Sequence, residues 1–128
     1  RLVQLLVTNA GSNSNFLLNV GPMPNGQIQP EFAKTLREIG EWTKVYGETV
    51  YGTRGGPVPP RDWGVTTQKG NKVYVHVLNW KDKTLALPAW GKKIKSARLF
   101  PGGAKVAFAQ TADAIMLTLP KPDANAFD

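Results

Sequence analysis

At 128 residues the chain can bury one ordinary domain with a real core, and it is too short for two large ones. Hydrophobic content of 41% and charged content of 20% exclude a disordered chain, and no apolar run approaches the ~18–20 residues that span a bilayer. The net charge of +7 is uneven, with +1 on residues 1–60 and +6 on residues 61–128, yet its lysines are mostly dispersed as on solvated strand edges.

Leu2, Val3, Leu5, Leu6 and Val7 fall at helical spacing and predict the last turns of a helix ending near Gly11. Asn13 to Val20 is a short continuous apolar run of the kind found in a strand buried on both faces. Gly21-Pro-Met-Pro-Asn-Gly26 is a loop by its Gly and Pro content, without the Lys of a phosphate-binding loop. Pro30 suits the first position of a second helix and Glu31 complements its dipole. Phe32, Leu36, Ile39, Trp42, Val45 and Tyr46 form a broad apolar stripe that predicts this helix through Tyr46, and Gly47 supplies the stop. Gly40, inside the helix, costs about 1 kcal/mol relative to Ala, which a close backbone contact would explain.

Gly55-Gly-Pro-Val-Pro-Pro60 is the strongest boundary signal, and the pattern changes period after it. Trp63 to Thr67, Lys72 to Asn79, Thr84 to Leu87, Ile94 to Phe100, Ala104 to Ala109 and Ala114 to Leu119 read as strands. Turn signals at Lys69-Gly-Asn, Lys81-Asp-Lys, Pro88 to Gly91, Pro101-Gly-Gly and Asp113 separate them, which argues for an antiparallel sandwich or barrel. In the second of these strands Val73, Val75 and Val77 take one face and Tyr74, His76 and Leu78 the other.

Without cysteine there is no disulfide, thiol nucleophile or zinc-thiolate site, and no residue set calls for a metal or a cofactor. Sugar hydrolysis needs two carboxyl groups about 5–10 Å apart. Glu31, Glu38 and Glu41 fall on the polar side of the helix, Asp62, Asp82 and Asp113 in turns, and Asp123 and Asp128 in a Pro/Ala tail. No catalytic pair is expected among them. His76, the single histidine, reads as a packed strand residue. Trp42, Trp63, Trp80 and Trp90 read as core or packing residues, with sugar stacking as the functional alternative for Trp63, Trp80 and Trp90. Asn19 interrupts an apolar strand near its C-terminal end, where barrel enzymes gather active-site residues, and is the candidate substrate-binding residue beside a backbone-satisfying reading. Nucleic acid is not an expected partner: Lys72–Trp80 offers only Tyr74 and Trp80 for base stacking. No membrane partner is expected either.

Asn15-Phe-Leu-Leu-Asn-Val-Gly-Pro22, Asn25-Gly-Gln-Ile28, Leu36-Arg-Glu-Ile-Gly-Glu-Trp42 and Gly47-Glu-Thr-Val-Tyr-Gly-Thr-Arg54 together resemble the C-terminal end of glycoside hydrolase family 29 α-L-fucosidases. Arg61-Asp62, Lys69-Gly70 and Lys72-Val-Tyr-Val-His-Val-Leu78 continue the similarity more loosely. The resemblance implies an α+β chain: the last strand and helix of a (β/α)₈ catalytic barrel in residues 1–57, then a mostly antiparallel C-terminal β-sandwich in residues 58–128. It implies retaining hydrolysis of terminal α-L-fucose from fucosylated glycans, through an Asp nucleophile and a separate acid/base on earlier strands without counterpart here. A periplasmic, secreted or lysosomal setting follows from the same resemblance. The chain has Ser14 where the family usually has Gly and ends at Asp128 where the family continues, and it opens without Met or signal peptide. It therefore reads as a fragment, inactive alone, whose alternative is a non-catalytic carbohydrate-binding sandwich. A barrel strand without its barrel leaves apolar surface exposed, so residues 13–20 are expected to rearrange, to lose order or to be covered by another copy of the chain.

Overall fold

The computed structural model describes residues 1–80 and 83–120. Helix α1 spans Leu2–Gly11 and helix α2 spans Pro30–Tyr46, running on into a 3₁₀ turn at Gly47–Thr49. The periodicity sets both: Val3 and Val7, four apart, are buried on α1, and Ile39, Trp42 and Tyr46 pack the inner side of α2. Pro30 sits in the first turn with Glu31, as expected from its fixed φ and the dipole.

Strands β1 (Arg54–Gly55), β2 (Gly64–Lys69) and β3 (Lys72–Val77) form an antiparallel sheet in that order. Strands β4 (Thr84–Pro88), β5 (Ala107–Gln110) and β6 (Ala114–Thr118) form a second antiparallel sheet, ordered β4-β6-β5. Alternation assigns the faces: Leu85 and Leu87 on β4 and Ile115 and Leu117 on β6 point inward, while Thr84, Ala86, Met116 and Thr118 stay exposed. These four, with Val58, form one core against which Val75 and Val77 of the first sheet pack, so the sheets make the expected sandwich. Each buried Leu or Ile contributes about 1.5–3 kcal/mol.

The outer face of the first sheet carries the helices. Val3 and Val7 meet Trp42 and Val65 of β2 in a second core, flanked by Leu6, Ile39, Tyr46, Val50 and Leu78. Gly11 makes this contact close: a Cβ there would lie 2.5 Å from Val65 Cβ. Trp42 stacks on Tyr46 with ring centroids 5.4 Å apart, and Phe100 reaches both Tyr46 and Tyr74 at 6.1 Å. The outward residues of β3 thus lie against the helical layer and the inward valines against the second sheet.

Three local expectations are corrected. Residues 14–23 carry no regular secondary structure and no ladder where a buried strand was expected at 13–20. Such a strand needs neighbours on both edges to take its N–H and C=O groups, and no strand among the described residues pairs with it. Asn13 instead turns with φ 55°, and its Oδ1 accepts a 2.7 Å hydrogen bond from Gly55 N. Residues 94–100 do not form a strand: they meet their neighbour through the Arg98–Lys105 bridge and the bonds Val106 N–Ala97 O and Leu99 N–Ala104 O. Further along, Gln110 replaces the ladder, accepting from Ile94 N at 2.8 Å and donating to Lys92 O at 2.7 Å. A Cβ at Gly40 would meet nothing within 4 Å among the described residues, so no close contact among them accounts for that glycine. Gly47 caps α2 where the stop was expected, in the right-handed region (φ −55°, ψ −31°), with the exposed Tyr51 ring beside it.

Candidate functional site

Asn19 stands exposed in the irregular segment between α1 and α2, among exposed Leu17 and Leu18. Leu17 is 92% exposed, and Ile28, Phe32 and Leu36 are also largely open, an unusual concentration of apolar surface between residues 17 and 36.

The carboxylates among the described residues do not converge. Glu31, Glu38 and Glu41 lie exposed along α2, with Glu41 paired to Lys44 at 3.1 Å. Glu48 lies 3.7 Å from Lys72 Nζ and near the Tyr74 hydroxyl. Burial, reinforced by the negative charge of Glu48, holds that hydroxyl above its ordinary pKa, and its oxygen has no hydrogen bond of good geometry. Asp113 sits exposed in the β5–β6 turn. Asp82, Asp123 and Asp128 lie outside the described residues. No group of acidic and histidine side chains among the described residues could hold a metal.

His76 is buried at 3% exposure, as a packed strand residue should be. The Thr67 hydroxyl donates to Thr49 O at 2.6 Å, and a carbonyl can only accept. The 3.0 Å contact between Thr67 Oγ1 and His76 Nε2 is therefore one in which Nε2–H donates. This chain of bonds ties the end of the helical layer to β2 and β3.

Of the tryptophans, Trp42 lies in the helical core and Trp63 and Trp90 pack against the sandwich core. Trp80 is half-buried. Trp63 opens onto concave surface. Two adjoining depressions, of about 370 and 280 Å³, share Asp62 and Trp63 in their walls. Arg61, Ala86 and Pro88 complete the first, and Val77, Asn79, Thr84, Leu85 and Leu119 the second. Asp62 sits in a turn, as its sequence setting predicts, while the cleft beside it is a feature the sequence analysis did not foresee. The available signal was Arg61-Asp62-Trp63, a cation, an anion and an indole, directly after a Pro-rich run. Asp62 is the only carboxylate among the described residues that lines either depression, so no carboxyl pair of the glycosidase kind is formed there by the described residues.

Comparison with known proteins gives these residues a family. The family model for α-L-fucosidase matches residues 1–48. Among curated proteins, an α-L-fucosidase of Branchiostoma floridae is 36% identical over 93 residues, 68% of this chain and 21% of that protein. The plasma α-L-fucosidase of Homo sapiens is 36% identical over 84 residues, 62% of this chain and 18% of its own length. Among solved structures, α-L-fucosidase isoenzyme 1 from Paenibacillus thiaminolyticus superposes with TM-score 0.85 and 32% identity, over 98% of this chain and 31% of that one. A family 29 α-L-fucosidase from Bacteroides thetaiotaomicron, trapped as a covalent intermediate with 2-fluoro-fucosyl fluoride, gives TM-score 0.86 and 25% identity over 97% of this chain and 29% of its own. The chain thus spans about a fifth of the curated relatives and under a third of the solved ones.

Proposed function

We propose that this chain, which belongs to the α-L-fucosidase family, forms part of a retaining α-L-fucosidase: residues 1–57 the end of its catalytic barrel and residues 58–128 its accessory β-sandwich. The observation that carries this reading is the superposition of 97–98% of the chain on fucosidase structures at TM-scores of 0.85 and 0.86. The exposed apolar residues support it, since Leu17, Leu18, Ile28, Phe32 and Leu36 would be covered by the preceding barrel segments. Residues 13–20 would become the eighth strand once a neighbour supplies the ladder they lack.

The chemistry is that of a retaining glycosidase. One carboxylate attacks the anomeric carbon while a carboxylic acid about 5–5.5 Å away protonates the departing oxygen, and water then releases the sugar. The trapped covalent intermediate of the Bacteroides relative supports this course. Both groups would come from earlier barrel strands, and the present chain would supply the closing wall. Asn19, near the C-terminal end of the eighth strand, would face the pocket mouth and hydrogen-bond the fucose-bearing substrate.

The test uses an aryl α-L-fucoside. The 128-residue chain alone should release no aglycone, whereas a longer protein containing it should hydrolyse the substrate with the α-anomer formed first. Mutation-sensitive turnover by the short chain would refute the assignment of the carboxylates to other segments. Removing residues 58–128 from the longer protein should cost stability or activity.

A further inference from the structure

The cleft around Trp63 belongs to no part of the proposed active site, because it lies on the sandwich core and no helix residue lines it. Its shape follows from a tightly pinned turn. Arg61 N donates to Gly64 O at 2.9 Å and Gly64 N returns to Arg61 O at 3.1 Å, closing residues 61–64 on themselves. The Trp63 carbonyl accepts twice, from Leu78 N at 2.7 Å and Asn79 N at 2.9 Å. Arg61, Asp62 and Trp63 are therefore presented from fixed backbone, with the Asp62-Trp63 pair shared by both depressions.

We propose that this cleft is an ancillary binding site for a neutral pyranose sugar, separate from the site of hydrolysis. A pyranose ring has an apolar C–H face and a rim of hydroxyls, and the cleft offers a counterpart to each. The half-buried Trp63 indole, with Pro88 and Ala86 of β4, supplies the apolar platform. The Arg61 guanidinium donates in a fork, the Asp62 carboxylate accepts, and the Asn79 amide and Thr84 hydroxyl do both. The opposite charges of Arg61 and Asp62, adjacent in the wall of the cleft, offset one another and favour a neutral ligand over a phosphate or sulfate. Volumes of about 370 and 280 Å³ stand at the small end of ligand pockets, the size of one or two sugar rings. The inference stands apart from the fucosidase reading, because the cleft could hold a glycan whether or not the whole protein hydrolyses it.

The experiment is ligand-observed saturation-transfer NMR, with tryptophan fluorescence titration, on the 128-residue chain using L-fucose, lactose and 2′-fucosyllactose. At least one of these should saturate the site with a dissociation constant on the order of 1 mM, typical of a few hydrogen bonds and one stacked ring. Arg61→Ala, at an exposed side chain, should weaken it roughly tenfold, the loss of one charge-assisted bond. Trp63→Phe, which keeps apolar bulk in the core, should weaken it as well and remove most of the fluorescence response. In a longer protein that hydrolyses an aryl fucoside, Arg61→Ala should leave that turnover unchanged, which separates the cleft from the catalytic reading. Absence of saturable binding, binding insensitive to both substitutions, or preference for sulfated or phosphorylated sugars would overturn the proposal.

Discussion

Replacing Thr67 by valine tests how the helical layer is joined to the sandwich. Thr67 is fully buried, Thr49 is 4% exposed and His76 3%, so no water can replace a lost partner. The hydroxyl serves two groups, accepting from His76 Nε2–H at 3.0 Å and donating to Thr49 O at 2.6 Å. Valine keeps the shape and deletes both bonds, leaving a buried N–H and a buried C=O at about 1–3 kcal/mol each. Its extra methyl returns roughly 1 kcal/mol of transfer energy, for a net loss of about 1–5 kcal/mol. Against a total stability of about 5–15 kcal/mol this is a large fraction. For a chain of this size it corresponds to a melting temperature lower by about 3–25 °C. Urea unfolding followed by tryptophan fluorescence would measure it, with Thr67→Ser as control: serine keeps both bonds, loses one methyl and should cost about 1 kcal/mol. A valine variant within 0.5 kcal/mol of the parent, or a serine variant as damaged as the valine one, would refute the hydroxyl as the joint.

Three further outcomes follow from the same coordinates. Gly11→Ala places a methyl 2.5 Å from Val65 Cβ, so α1 must shift off β2, and calorimetry should show a loss of about 1–3 kcal/mol despite alanine's better helix propensity. The Tyr74 hydroxyl is held above its ordinary value of 10.0 by burial and Glu48, so the unfolded chain loses that proton first as pH rises. The stability it contributes is fully present below pH 10 and declines above it. Thermal melts across that range should fall more steeply for the parent than for Tyr74→Phe, and equal slopes would contradict the linkage. The 128-residue chain should self-associate through its exposed leucines and Phe32, and sedimentation velocity on Leu17→Ser/Phe32→Ser should show a shift toward monomer. An unchanged distribution would place any association elsewhere.

The sequence disclosed most where a residue's partners are local or share its sheet. Helix α2 begins at Pro30 and ends at Tyr46 as its stripe and flanking residues require, because a helix satisfies its own backbone. Strands β2, β3, β4 and β6 emerged from alternation, and the two faces of β3 found the two different layers that its valines and its Tyr74-His76-Leu78 face call for. Residues 13–20 read as strand because composition reports burial and not the presence of a neighbour. Residues 94–100 failed differently: Gln110, sixteen positions beyond Ile94, takes the place of a ladder partner, and no local pattern announces that. The cleft at Trp63 was hidden for the same reason, since Arg61 and Pro88 meet only after two sheets have packed.

Helix α2 holds a residue that the 128 residues alone do not explain. Ile39, Trp42 and Tyr46 follow one side of it into the core, and burying them is enough to dock the helix. Phe32, Leu36 and Gly40, spaced by four, run along the flank of that stripe, and two of them leave large apolar side chains in solvent. A Cβ at Gly40 would meet nothing among the described residues, so its cost of about 1 kcal/mol relative to alanine is unrecovered among them. Rows spaced by four are the ridges that helices interlock when they pack, and a glycine in such a row lets the neighbour come close. A helix with one satisfied stripe and a second, glycine-thinned row beside it is suited to two partners at once. The sandwich side is the partner present here, and the adjoining helix of a (β/α)₈ barrel is the kind of surface that the second row would fit.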